Sequence, residues 1–206
     1  MKLDKKTERI AISLLDKGYK NAANSFSALT NDGITIKPAR IEILQNDWRV
    51  LQNLKSEDEL ILLTTSMMGE LAGKSYLIFN RREADEIHAA CMPPKDNEQA
   101  KMMETEAILM ELDNILSAAV ITEFSNYLGV SIYGDVPHLS RISHHDLVDK
   151  LTHDLKDTGI EDCFIMADTE FVSENNSKLR PQFIWKLTSD FLDRIGSVDT
   201  RQKDLV

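Results

Sequence analysis

The sequence predicts an α/β fold, more closely α+β, in which a single domain over residues 1–206 is an internally duplicated pair of repeats about a pseudo-twofold axis. Three observations lead there. The order long helix, alternating strand segments, second helix occurs twice, over about 7–92 and again over about 99–196. Two landmarks recur at nearly one offset: Phe26-Ser27 returns as Phe124-Ser125 after 98 positions, and Pro38 returns as Pro137 after 99. Between the halves stands "PPKDNEQ", two prolines and an almost wholly polar run, the best boundary in the chain. Each half is expected to supply a long helix, about three mainly antiparallel strands and a second helix.

The elements follow from periodicity. Ile10, Leu14, Leu15 and Ala22 recur at helical spacing and predict a helix over about 7–29, stopped by Asn31, Asp32 and Gly33. From Ile34 to Leu44 apolar and polar residues alternate, and Pro38 makes this an edge strand or a strand broken in two. "DELILLTTSMMGELAGKSYLIF" reads as two strands joined by a turn near Gly69 to Gly73, and "NRREADEIHAACM" as a short amphipathic helix. After the break come a long helix over about 99–128, an extended segment ending in Pro137, strands around "DCFIMADTEFV" and "RPQFIWKL", and a last helix in "TSDFLDRIG".

Composition narrows the function. With 42% hydrophobic and 28% charged residues the chain can bury a core of its own. A formal net charge of -10, a pI near 5.0 and the lack of any basic block weigh against nucleic acid or an anionic membrane as partner, and favour a partner with a local basic spot. The opening "MKLDKKTERIAISLLDKG" is amphipathic rather than a signal sequence, and the aliphatic run "LILL" is far short of the roughly 20 residues a membrane span needs. A cytoplasmic protein without membrane insertion is expected. Cys91 and Cys163 belong to no CxxC pattern and read as reduced thiols.

The second long helix carries the chemistry. Ile108, Leu112, Ile115, Leu116 and Ala119 share one face, the expected core side. A quarter to a third of a turn away lies a stripe of Glu104, Ala107, Glu111, Asn114, Ala118, Thr122 and Ser125. A solvated face more often carries long Lys, Arg and Glu chains, whereas these small residues let another surface come close. Glu111 and Asn114 stand one turn apart on that stripe. The tetrad Glu-x-x-Asn is permissive by itself and recurs at Glu123 and Asn126.

The longer pattern is more specific. Glu111-x-x-Asn114-Ile115-Leu116, then "AVITEFSNYLG", then Pro137 after 22 intervening residues, resembles the signature of the CheC, CheX and FliY family of chemotaxis phosphatases. "NAANSFSAL" and "GELAGKSYLIF" in the first half are similar to stretches of that family's first repeat, so the resemblance runs from about Leu14 to Ile195. It implies a CheC-like, internally duplicated protein that hydrolyses the phosphoaspartate of the response regulator CheY. It assigns Asn114 to orienting the attacking water and Glu111 to anchoring the regulator's Lys. No cofactor is expected on this chain, and Mg²⁺ is expected on the regulator. CheD or flagellar switch proteins are further partners on this reading, with the chain a monomer or homodimer. The chemistry is reasonable without the name, because an acyl phosphate already held by Mg²⁺ and Lys mainly lacks a water positioned in line, and a carboxamide both donates to and accepts from water.

There are departures. Where the family has Asp or Ser four residues before the Glu, this chain has Ala107, with Glu104 as the available substitute on the same stripe. Counting back by 98 from Glu111 and Asn114 lands on Ser13 and Asp16, which makes the first repeat a degenerate site. The alternative function is therefore a non-catalytic adaptor that binds the phosphorylated regulator, the flagellar switch or CheD. Elsewhere, of His144, His145, Asp149 and His153, residues 145, 149 and 153 would stack along one helix face, and three ligands in a single row diverge, which suits solvated histidines better than a metal site. The methionines of "KMMETEAILM" read as core filler. Gly69 and Gly73 read as turn glycines, since their setting is strand to strand.

Overall fold

The computed structural model describes residues 4–30, 34–44, 59–93, 97–156, 163–173 and 178–203. In chain order the elements are α1 (Lys5–Thr30), β1 (Ile34–Leu44), β2 (Leu60–Gly69), β3 (Gly73–Asn80), α2 (Arg81–Cys91), α3 (Glu98–Leu128), β4 (Ile132–Gly134), β5 (His138–Ile142), α4 (His144–Lys156), β6 (Cys163–Ser173), β7 (Lys178–Leu179), β8 (Gln182–Leu187) and α5 (Ser189–Lys203). The α+β class and the antiparallel strands are as the sequence predicts. The predicted stop at Asn31 to Gly33 and residues 94–96 of the polar break lie outside the described residues.

The described strands form one antiparallel sheet in the order β1-β6-β8-β3-β2-β4, with β5 also on β2 and β7 on β6. Outward from the central β3–β8 pair, each side runs through a hairpin partner and then a strand from the other half of the chain. β1, which follows the first long helix, pairs with β6; β4 and β5, which follow the second, pair with β2. Each half thus completes the other's sheet across the polar break.

Both faces of the sheet are covered. Ile61, Leu63, Leu77, Phe79, Phe183 and Trp185 face a large core closed by α1, α2, α3 and α5, while Leu60, Leu62, Tyr76, Ile78 and Ile184 face a smaller one closed by Leu147 and Leu151 of α4. Double burial is why "LILL" runs apolar without a break. Helix α4 and strand β5 are additions to the predicted elements. In α4 the apolar residues Leu147, Val148, Leu151 and Leu155 recur at helical spacing within a His- and Asp-rich segment, and Leu147 and Leu151 are fully buried. Its C-terminal end is held by Asp154, whose backbone carbonyl accepts from Lys186 and whose carboxylate accepts from Tyr76 (2.8 Å) and Lys74 (3.3 Å). Against the burial that would raise it, the Tyr76 hydroxyl and the Lys74 ammonium hold this carboxyl below its ordinary range.

Capping sets the start of α2. The Asn80 side chain accepts from the Glu83 N–H (2.8 Å) and the Glu83 carboxylate accepts from the Asn80 N–H (3.0 Å), a reciprocal capping box. Cys91 at the other end is half-buried and free, with its thiol pKa pushed up by burial; the side chain of Cys163 lies outside the described ones. No described helix is long and apolar enough to cross a membrane.

Helices α1 and α3 cross at Gly18, where a Cβ would lie 2.7 Å from the Cα of Val120. Around that crossing Glu123, buried on α3, takes Lys17 (2.6 Å) and Asn21 (2.9 Å) from α1, so the second Glu-x-x-Asn tetrad supplies a helix–helix clamp. Gly18→Ala gains about 1 kcal/mol of helix propensity but forces backbone atoms apart at a cost of about 1–3 kcal/mol. A lower melting temperature is expected, by roughly 2–4 °C per kcal/mol lost; scanning calorimetry of the variant measures it, and an increase would contradict the close crossing.

Candidate functional site

The rotation of α3 differs from the predicted one. Its buried residues are Thr105, Leu109, Leu112, Asp113, Leu116, Ser117, Val120, Ile121, Glu123 and Phe124, an arc of about half the circumference at 100° per residue. Ile108, Ile115 and Ala119 are half-buried on one flank. The stripe holding Glu111 and Asn114 therefore lies nearly opposite the core instead of a third of a turn from it. The reason is α1: Ile115 and Ala119 line a shallow groove shared with Asn21 and Ser25 of that helix, and this half-covered flank widens the apolar arc and displaces its apparent centre.

Glu111, Asn114, Ala107 and Ala118 are exposed. Glu111 and Asn114 line a groove of about 430 Å³ whose other lining residues are Ala107 and Met110 of α3 and the segment Gly134, Asp135, Val136 and Pro137. Asn114 also borders the groove of about 350 Å³ between α1 and α3, so it sits on the ridge between two depressions. The structure thus brings Pro137, distant in sequence, beside Glu111 and Asn114. Ser13 and Asp16 line neither groove; Ser13 is exposed and Asp16 is tied to Lys20 at 2.5 Å. Glu104 is drawn away to His88 of α2 (3.4 Å), which removes the substitute for the missing polar side chain at Ala107.

The far wall of the groove is a β-bulge. β5 reaches β2 with His138 opposite Thr64, and β4 reaches it with Gly134 opposite Met67, so Thr65 and Ser66 face Asp135, Val136 and Pro137, two residues against three. Pro137 has no N–H to continue the ladder. Asp135 donates its N–H to the Ser66 carbonyl (2.8 Å) and accepts the Val136 N–H on Oδ1 (2.7 Å). Gly134 packs closely, since a Cβ there would stand 3.2 Å from both Ile121 Cδ1 and Thr65 Cγ2 and would push those methyl groups back by a few tenths of an ångström.

Beneath the groove lies a residue the sequence reading missed. Asp113 is fully buried; its Oδ2 accepts from Thr65 Oγ1 (2.6 Å), while its Oδ1 and the Ser75 Oγ of β3 are buried without a partner among the described residues. Burial pushes its pKa up to about 7, opposed by the Thr65 hydrogen bond. The available signal was positional: at 100° per residue Asp113 falls about 60° from Leu116, inside any arc that also holds Leu109, Val120 and Phe124.

One other reading is adjusted. Met102 and Met103 are 44% and 66% exposed, so they are surface residues of the first turns of α3, which run beside α2, and not core filler. His145 pairs with Asp149 at 3.2 Å on an exposed face, and among the described residues no group of three His, Cys, Asp or Glu side chains is arranged to hold a metal ion.

No protein-family model and no curated protein matches the sequence. Solved structures do match. FliY of Thermotoga maritima is similar over 98% of this chain and 99% of its own, with 14% identity and a TM-score of 0.69. FliM from the FliM–SpeE complex of H. pylori is similar over 96% and 98%, with 15% identity and a TM-score of 0.63. CheX of Desulfovibrio desulfuricans is similar over 84% and 97%, with 15% identity and a TM-score of 0.51. The chain has the CheC/CheX/FliY fold. In this CheC-like fold the long helix α3 presents Glu111 and Asn114 outward, on the side away from the sheet.

The buried Asp113 couples the fit of α3 to pH. Its folded pKa of about 7 lies above the unfolded value of 3.8, so its contribution is fully favourable below about pH 4, declines as pH rises towards 7 and is constant above. The span is on the order of 4 kcal/mol. Asp113→Asn is expected to remove this loss and to be more stable than wild type at pH 8 by urea unfolding. Equal pH slopes for the two proteins between pH 5 and 7 would refute a buried, proton-binding Asp113.

Proposed function

We propose that the protein hydrolyses the phosphoaspartate of a CheY-type response regulator by inserting the exposed face of α3 into the regulator's active site. The observation that carries this reading is the meeting of Glu111, Asn114 and Pro137 at one open groove, on a fold shared with FliY and CheX. The Asn114 carboxamide, on a ridge with small neighbours, accepts one proton of a water and donates to its oxygen, setting it in line with the phosphorus. The Glu111 carboxylate, one turn nearer the helix N-terminus, pairs with the regulator's phosphate-contacting Lys. Mg²⁺ and that Lys belong to the regulator, and this chain supplies the positioned water.

A second reading is an adaptor without turnover. Ala107 favours it, as does the likeness to FliM structures solved as complexes with SpeE and with FliG, the latter at a TM-score of 0.57. Substoichiometric protein that shortens the lifetime of the phosphorylated regulator supports the phosphatase; an unchanged or longer lifetime supports the adaptor. We also read the two halves, about 7–92 and 99–196, as repeats, on the support of the exchanged strands, with Ser13 and Asp16 marking the site that lost its groups.

Asn114→Ala is expected to lower turnover by about 100-fold or more with the fold intact, because Ala is a good helix former and the position is exposed. Glu111→Ala is expected to raise the regulator concentration for half-maximal rate by about tenfold, a defect overcome at saturation. Steady-state dephosphorylation assays separate the two. The double change Ser13→Ala, Asp16→Ala is expected to keep the wild-type rate; a large loss with unchanged circular dichroism and melting would falsify a single site on α3.

A further inference from the structure

We propose that the bulge at Asp135 and Val136 is the second half of the regulator-docking site and selects which regulator is accepted, a proposal that rests on the phosphatase reading. Val136 is the most exposed large apolar residue among those described, at 75%, and it overhangs the groove that holds Glu111 and Asn114. An exposed apolar residue is ordinary by itself, but Val136 stands over a polar groove beside Glu111 and Asn114, where anything that enters the groove must touch it.

Its charge identifies the occupant. The groove contains two carboxylates, Glu111 and Asp135, and no basic residue, and neither carboxylate has an ion-pair partner among the described residues. Such a site fits a basic group flanked by apolar surface. The face of a receiver domain that presents a Lys beside its phosphorylated Asp meets the requirement. Glu111 and Asp135 then bracket the cation from opposite walls, and Val136 seats on the neighbouring apolar residues. The bulge is braced for this role, because the Ser66 carbonyl, its own Asp135 side chain and Pro137 fix the backbone that carries Val136.

The test measures binding and turnover separately. A CheY-type regulator loaded with beryllofluoride and Mg²⁺ is titrated into the full chain, and single-turnover decay of the acetyl-phosphate-charged regulator is followed at saturation. Val136→Asp and the milder Val136→Ser are expected to weaken binding by about tenfold and about threefold, and Asp135→Asn by about threefold, while saturated turnover stays within about twofold of wild type. Asn114→Ala is expected to behave in the opposite way. Wild-type affinity in Val136→Asp and Val136→Ser, with Asn114→Ala still inactive, overturns the docking role and leaves the phosphatase reading standing. No binding and no turnover by the wild-type chain with any regulator tried overturns both. A dimer by light scattering that Val136→Asp converts to monomer overturns it differently, by making a second copy of this chain the occupant.

Discussion

The rotation of α3 about its own axis is the constraint on which the rest of the structure depends. Leu109, Leu112, Leu116, Val120 and Phe124 are buried, and two contacts lock their setting: Val120 against Gly18 of α1, and Ile121 against Gly134 of β4. Neither place has room for a methyl group without displacement, so the helix cannot roll to accommodate a neighbour. With the buried arc fixed, Glu111 and Asn114 are fixed on the opposite side. The rigidity of a site placed on a well-packed helix is what positioning catalysis needs, since misplacement by an ångström is costly.

The sheet makes that rigidity a property of the whole chain. Because β1 completes the hairpin of the second half and β4 and β5 complete that of the first, the strand under the groove belongs to one half and its bulged partner to the other. Loosening either half releases the groove. Asp113 adds a cost within this packing: its carboxyl keeps one hydrogen bond, from Thr65, and leaves an oxygen unpaired in the interior. A residue of that kind weakens the fold at neutral pH, and it lies next in sequence to Asn114.

Most of the fold was legible because its signals are periodic. The two long helices, the β2–β3 hairpin, β6 and β8 each carry an apolar pattern longer than one turn of chain, and the exposed stripe of α3 stood out by its small side chains. Helix α4 was passed over although Leu147, Val148, Leu151 and Leu155 recur at helical spacing, because His and Asp dominate the segment between them. The core side of α3 was misjudged because periodicity reports apolar side chains, and Ile108, Ile115 and Ala119 are apolar but only half-covered. Asp113 and the bulge were illegible for a different reason. One is a charge where a charge is unfavourable, and the other is a count of residues between two pairings that only the register reveals.

At both margins of the sheet formed by the described strands, a proline stands where the ladder slips. On β1 the pairing with β6 shifts between Pro38 and Arg40, and on the opposite side Pro137 ends the bulge between β4 and β5. An outer strand with a regular run of free N–H and C=O groups invites another chain to pair with it and extend the sheet. Here any such addition meets a missing donor and a change of register within a few residues, at either end. Association through this sheet's margins is thereby discouraged, and partners are left to recognise the molecule by its side chains.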